Sequence, residues 1–409
     1  MHLRFTTAGE SHGRALVVVV EGLPAGLPVG AEAVDRELAR RMQGYGRGAR
    51  MKIERDRIEW LAGVRAGETL GSPVAMLIPN LDWANWEDVM AAEGPPGDQR
   101  RRRVSRPRPG HADLVGVLKY DRLDARDILE RASARETAAR VAAGALARRL
   151  LEEFGVEIGS HVASLGGVRS AVPNPLPAPL NEAADRSTVR MLDPAADAAV
   201  VARIDQAKKD GDTLGGEIEV VARGVVLGLG SYVSWDRKLD SRLAGMLMSI
   251  PAVKGVEIGL GFEAARRPGS AVHDAIEAED GADAAARGGF RRATNNAGGL
   301  EGGMTTGEPL VVRVAMKPIS TLMSPLKTVN LATGEPANAQ SERSDVTAVP
   351  AMGVIAEALV ALVLADAMLE KFGGDSLAEM RRNFHSYVEH LGKRWVELRN
   401  RDPEQIAES

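Results

Sequence analysis

The sequence predicts an α+β fold built from duplicated α/β units. Thr69–Ile78, Thr213–Val221 and Thr306–Val314 each open on Thr with one or two Gly, then turn apolar and β-branched. Stretches with helical spacing lie between them. The glycines after the first helical stretch do not form a dinucleotide fingerprint, because they follow a helix rather than a strand.

In chain order, Leu3–Thr7 and Ala15–Glu21 read as strands around the Gly-bounded turn Gly9-Glu10-Ser11-His12-Gly13. Strands on both sides can hold a turn residue in place, and His exchanges protons near neutrality. An ordinary connection with an exposed His fits the same letters. Ala31–Met42 puts Val34, Leu38 and Met42 on one helical face and ends in Arg40 and Arg41. Those arginines suit the helix dipole, and with Arg47 on the Gly-rich turn they also suit a phosphate. Ile58–Ala66 and Pro73–Ile78 read as strands. Trp83 and Trp86 follow, placed to pack on something large.

Arg100–Arg103 reads as a solvated charge run, whereas Arg106, Arg108 and His111 are stiffened by Pro107 and Pro109. Arg131–Leu151 reads as a helix, with Ser133 and Glu136 spaced as a capping box. Arg131 and Arg135 sit at its N-terminus, where a bound anion or a carboxylate neighbour would relieve the conflict with the dipole. After the Pro173–Pro179 linker, Ala195–Lys209 and Arg237–Ser249 read as helices, and Leu214–Val226 and Ala252–Gly261 as strands.

Gly288–Pro309 carries seven glycines in twenty-two residues, with Arg291, Arg292, Asn295, Asn296 and Glu301 among them. It reads either as a loop wrapping an anionic or planar ligand or as a surface loop. The strand Leu310–Met316 anchors it. Asp345 precedes the nearly all-apolar helix Ala351–Leu369, where a capping role is the local expectation. That helix is apolar on every face and belongs in a core or at a subunit contact. From Arg381 the chain turns polar, with a frayed end expected.

The 409 residues can bury a large core, and the net charge of −4 argues against bulk nucleic-acid affinity. The absence of cysteine removes disulfides, thiolate nucleophiles and Cys-ligated metals. No apolar run reaches the ~20 residues of a membrane span, and the first residues lack a signal-peptide core. A cytoplasmic protein is therefore expected.

Five stretches together resemble the chorismate synthases over nearly the whole chain. They are Thr7-Ala8-Gly9-Glu10-Ser11-His12-Gly13, Arg106-Pro107-Arg108-Pro109-Gly110-His111-Ala112-Asp113, Arg131-Ala132-Ser133-Ala134-Arg135-Glu136-Thr137, Asn295–Gly303 and Arg343-Ser344-Asp345. The resemblance implies a β-α-β sandwich forming one catalytic domain over residues 1–409, with long active-site loops and a homotetrameric assembly. It implies 1,4-anti-elimination of phosphate from 5-enolpyruvylshikimate 3-phosphate, a phosphorylated dicarboxylate, to give chorismate in the shikimate pathway.

The implied cofactor is reduced FMN, with no net redox change. NADPH enters only as a source of reducing equivalents, through a separate flavin reductase or the enzyme itself. His12 is implied on the flavin side, His111 beside the leaving phosphate and Asp345 near the flavin N5. Arg41, Arg47, Arg135 and Arg343 are implied around the substrate. Implied flavin contacts are Arg131, Ala132, Ser133, Pro251, Ala252, Gly302, Lys317, Pro318, Ile319, Ser320, Thr321 and Arg343. Ala132 stands where many members carry Ser, so one hydroxyl contact is missing. Neither nucleic acid nor membrane is implied. Two other readings use the same arginines: a different phosphate lyase or phosphotransferase, and an RNA-binding protein using Arg100–Arg108.

Overall fold

Along Ala15–Glu21 and Val74–Pro79 burial alternates, one face of each strand fully buried and the other half-buried, although the residues on both faces are mostly apolar. The computed structural model describes residues 2–48, 55–93, 102–279, 287–341 and 345–400. Strands β1 (Arg4–Ala8), β2 (Ala15–Glu21), β3 (Glu59–Ala62) and β4 (Val74–Pro79) form one antiparallel sheet in the order β1-β2-β4-β3. Helix α1 (Ala31–Met42) is inserted after β2, and α2 (Thr137–Glu152) follows the sheet. Strands β5 (Glu157–Leu165), β6 (Val168–Arg169), β7 (Gly216–Arg223), β8 (Val253–Ile258) and β9 (Leu310–Met316) form the second sheet, in the order β8-β9-β7-β5-β6. Helices α3 (Pro194–Asp210) and α4 (Leu239–Met248) lie between its strands in sequence. Helices α5 (Val349–Phe372) and α6 (Leu377–Arg399) close the described chain.

Helix α2 packs on β2, α5 packs on β5 and β7, and the two helices pack on each other. The result is a sheet–helix–sheet sandwich. Each half is an antiparallel sheet followed by one long buried helix, which is the form the duplication takes. The three Thr-led segments map onto it unevenly. One leads into β4, and the other two become the neighbouring strands β7 and β9.

The α2–α5 crossing depends on small residues. A Cβ built on Gly144 would lie 2.4 Å from Ala358 Cβ and 2.6 Å from its carbonyl oxygen. Gly144→Ala is therefore expected to force the helices apart and cost about 1–3 kcal/mol, read as a lower urea midpoint at fixed protein concentration. An unchanged midpoint would show that the crossing has slack.

Several expectations are corrected. The Ile58–Ala66 strand is cut at Gly63, whose φ of +85° and close approach to Pro73 O exclude a side chain. Arg131–Leu151 is not one helix from Arg131. The chain enters through a 3₁₀ turn at Ala134–Glu136 because Ser133 is extended. Ser133 accepts from Arg135 N, but Glu136 does not complete the box: Thr7 Oγ1 and Arg140 take its carboxylate.

Helix α5 runs longer than expected. It is the one helix among the described residues long and apolar enough to cross a membrane, and its apolar stretch is wholly buried inside the fold. Arg381 is not a boundary. It lies within α6, whose Phe384, Tyr387 and Val388 pack on the core. The expected frayed end, 401–409, lies outside the described residues.

Candidate active site

The turn carrying His12 is fixed by register. Pairing of Ala8 with Val17 and of Ala15 with Pro79 sets Asn80 beside the turn. Asn80 Nδ2 then donates to Gly13 O at 2.6 Å and Glu10 O at 3.2 Å. Gly9, at φ +107°, starts the turn, where a Cβ would meet Ala15 O at 2.4 Å. His12 is no exposed connection residue. Its ring stacks on Trp86 with centroids 3.8 Å apart, and its Nδ1 lies 3.0 Å from Glu130. Trp86 in turn carries the guanidinium groups of Arg102 and Arg126.

A cavity of about 440 Å³ opens between the two halves of the sandwich. His12 and Ser133 line it from the first half, and Pro251, Ala252 and Lys317 from the second. Leu129, Ile250, Met316, Ala351, Met352 and Ile355 give it an apolar floor. Among the described residues, Arg41, Arg47, Arg108 and Lys317 face it against one lining carboxylate, Asp345. The lining is thus strongly cationic over an apolar base, which suits an anionic ligand with a flat apolar body.

Arg41 carries the electrostatic strain. It is 4% exposed, donates through Nε to Thr137 Oγ1 and through Nη2 to Ala134 O, and leaves Nη1 without a hydrogen bond. Burial pushes its guanidinium down to about 9, Asp56 works against that, and Arg47 and Arg135 add to the push. Arg41 Nη1 faces Asp56 Oδ2 at 3.7 Å, behind the cavity, and an oxyanion bound in the cavity would offset the crowded positive charge. Asp345 does not cap α5. It accepts from Gly48 N at 2.6 Å and pairs with Arg47 at 3.2 Å, tying the Gly-rich turn to the cavity.

His111 sits across from His12 on a turn locked by Arg108, whose Nε donates to Asp113 at 2.8 Å and whose Nη1 donates to Thr321 Oγ1 at 2.9 Å. Lys317 Nζ donates to Gly110 O at 2.7 Å, joining the same turn to the end of β9. Burial, then the nearby Lys254, lowers the Lys317 ammonium below its ordinary value. Ala252 adopts φ +69° and accepts from Lys317 N at 3.0 Å, so a strained backbone position borders the cavity.

The cavity lining brings together His12, His111, Asp345, Arg41, Arg47, Ala132, Ser133, Pro251, Ala252, Lys317, Ile319, Ser320 and Thr321. It does not include Arg135, which is buried behind Arg41 and gripped by both oxygens of Asp56 at 2.6 Å. Arg131 turns away to Thr7 and Gly9 and borders an adjacent depression instead. Pro318 is exposed beside the cavity. Gly302 lies on a hairpin whose next residue, Gly303, accepts from Leu239 N at the far end of α4 from Pro251. Arg343 lies outside the described residues.

The glycine-rich stretch 288–309 contributes nothing to this lining. Its polar groups bond locally, Arg292 to Glu301, Asn295 to Pro309 O and Thr305 to Val226 O. Of the basic stretch, Arg103 donates to Leu123 O and Arg106 to Gln340. Arg102 lies over Trp86 and Arg108 pairs with Asp113; Arg108 is buried, whereas Arg102, Arg103 and Arg106 are exposed on the surface. Arg100 and Arg101 lie outside the described residues. Sequence reading missed Asp56 and Glu130. The only signal for the second was the i,i+4 spacing of Arg126 and Glu130.

A family model described as chorismate synthase matches residues 3–369. The chain is 58% identical over 396 residues to the chorismate synthase of Acidothermus cellulolyticus, covering 95% of this chain and 99% of that one. It is 59% identical over 398 residues to that of Streptomyces coelicolor, covering 95% and 98%. A solved crystal structure of chorismate synthase superposes with a TM-score of 0.77 at 44% identity, covering 96% of this chain and 99% of that one.

Proposed function

The chain belongs to the chorismate synthase family and is a lyase that eliminates phosphate from 5-enolpyruvylshikimate 3-phosphate to give chorismate, with FMN as cofactor, and we propose that the cavity between its two halves is the site of that reaction. The observation that supports this reading is the lining itself, which among the described residues sets four cations and two histidines over an apolar floor with one carboxylate. Bound in its reduced form, FMN would supply an electron-rich ring against the face of the substrate.

The residues divide the remaining work. Arg41 and Arg47 hold the substrate's phosphate and carboxylates through the positive charge they bring to the cavity. Arg135 acts from behind, by sharing Asp56 with Arg41. Arg343 completes the substrate set. Ala132, Ser133, Pro251, Ala252 and the segment Lys317–Thr321 hold the flavin, with Arg131 at its margin and Gly302 away from this cavity. His111 stands beside the departing phosphate and stabilises the charge that develops there. His12 keeps a proton on the flavin side, and Asp345 accepts the proton that balances the lost phosphate. The apolar floor excludes water from these groups.

The test is phosphate release from the phosphorylated substrate under anaerobic conditions with dithionite-reduced FMN. Turnover should require reduced FMN yet consume no stoichiometric reductant, NADPH serving only to regenerate the reduced flavin. One hydride used per chorismate formed would refute this account. Assembly is a homotetramer on this reading, so light scattering at micromolar concentration should give four times the 43.5 kDa chain. A monomer mass would refute the tetramer and leave the cavity assignment standing.

A further inference from the structure

Each cavity histidine is backed by a buried carboxylate that an arginine also holds. Asp113 is fully buried. Its Oδ1 faces His111 Nδ1 at 2.6 Å and accepts from Arg108 Nη2 at 3.1 Å. Its Oδ2 accepts from Arg108 Nε at 2.8 Å and from the Arg108 backbone N–H at 3.0 Å. Glu130, 2% exposed, faces His12 Nδ1 with both oxygens at 3.0 Å. It also accepts from the His12 backbone N–H at 2.9 Å and from Arg126 Nη1 at 2.8 Å.

The two trios arise from unrelated pieces of chain. One is built within residues 108–113, whereas the other joins a turn of the first sheet to residues 126–130. Their likeness is therefore not the by-product of one local motif. Both carboxylates are ionised at neutral pH. Burial alone would raise Asp113, but the hydrogen bonds from His111 and Arg108 hold it well below the ordinary carboxylate range. Burial would raise Glu130 too, and His12, then Arg126, hold it down. An ionised carboxylate only accepts, so the ring nitrogen facing it must be the donor. Arg108 Nη2 also lies 3.1 Å from His111 Nδ1 and 3.4 Å from Nε2, and the shorter 2.6 Å contact of Nδ1 with Asp113 makes Nδ1 the donor.

Building on the function proposed above, we propose that Asp113 and Glu130 are positioning residues that fix the tautomer of both cavity histidines, keeping the proton on Nδ1 and leaving Nε2 as the nitrogen that handles protons during turnover. A proton can then move on and off Nε2 without the ring rotating. The carboxylates do not take that proton, because Arg108 and Arg126 stabilise their charge. Around His111 the charged groups are Asp113, Arg108 and, through Gly110, Lys317. Around His12, among the described residues, they include Glu130, Arg126 behind it, and Arg102 over the Trp86 ring that stacks on His12.

The test reads the tautomer directly. Ring ¹⁵N shifts are recorded on ligand-free enzyme labelled at its seven histidines, with signals assigned by their loss in His12→Gln and His111→Gln. The expected result, at high pH, is Nδ1 protonated and Nε2 bare for both. Asp113→Asn then makes a sharper demand. The amide oxygen stays with the two Arg108 donors now on Oδ2, so the amide NH₂ faces His111 Nδ1. That nitrogen must accept, and His111 should switch to the Nε2–H form while His12 keeps its own. Turnover should fall by roughly tenfold or more.

Protonated Nε2 at either histidine in the wild type would overturn the proposal, as would an unchanged His111 tautomer in folded Asp113→Asn. The wild-type spectrum decides the claim even where a variant fails to fold. The measurement needs neither substrate nor flavin. A correct tautomer in an enzyme that releases no phosphate would therefore sink the functional reading and leave the positioning role intact.

Discussion

Glu357→Ala is expected to destabilise the fold by about 3–5 kcal/mol, the range for removing one partner of a buried charged pair. Glu357 is fully buried in the middle of α5, the most apolar helix described. Its Oε2 accepts from Arg148 Nη2 at 2.6 Å, Arg40 Nη1 at 2.9 Å and Asn181 Nδ2 at 3.0 Å. Its Oε1 accepts from Ser160 Oγ at 2.6 Å and Arg190 Nη2 at 3.0 Å. Alanine would leave three largely buried guanidinium groups with only Glu37 and Asp185 to balance them.

Arg190 shows how tight the balance is, since burial lowers it to about 10 even with Glu357 beside it. Burial by itself would raise Glu357, yet Arg40, Arg190 and Arg148 hold it far below its ordinary value. A depressed carboxylate stabilises the fold above its unfolded-state value and loses that contribution as pH falls. Wild type should thus weaken below about pH 4, while Glu357→Ala should lose this part of the acid sensitivity. Urea titrations at neutral pH and at about pH 3 would measure both. A neutral-pH loss under 1 kcal/mol would mean that water or Glu37 takes over the arginines. Function should suffer as well, because Arg40 precedes Arg41, and Met352 and Ile355 on the same helix line the cavity.

Much of this was legible in the chain and some of it was not, for physical reasons. The boundaries of α1, β2 and β9 followed from periodicity and flanking glycines because their burial is one-sided or local. His12 could be singled out because strands on both sides hold its Gly-bounded turn, and His111 because prolines stiffen the chain before it. Asp56 could not, since its meaning lies in Arg135, 79 residues away, and nothing in its neighbourhood distinguishes it from any other acid. Glu357 did leave a signal, a lone carboxylate in an apolar run, whose partners come from α1, α2 and Arg190 just before α3. Gly288–Pro309 misled for a related reason. Its polar residues looked available to a ligand, but they satisfy one another and neighbouring backbone within the second half of the fold. Composition reports donors and acceptors without saying whether they are already paired.

The two histidines should fail differently when removed. His111→Ala and His12→Ala are each expected to lower turnover by roughly ten- to a thousandfold, the range for one acid–base group. Phosphate leaves as an anion, so a proton or positive charge held beside it lowers the barrier. His111 is placed for that, on the turn that Arg108 and Lys317 fasten to the second sheet. His12 instead lines the cavity from the first half, stacked on Trp86 and backed by Glu130. His111→Ala should accordingly slow phosphate departure and leave the protonation of bound reduced flavin largely intact. His12→Ala should change that protonation instead. Rapid-mixing spectra of the anaerobic ternary complex, taken across pH, report both quantities in one experiment. If the flavin spectrum ignores His12→Ala and shifts with His111→Ala, the two roles are exchanged. If neither variant loses even fivefold in turnover, both histidines serve only to pack the walls of the cavity, and proton handling falls to Asp345 and the arginines alone.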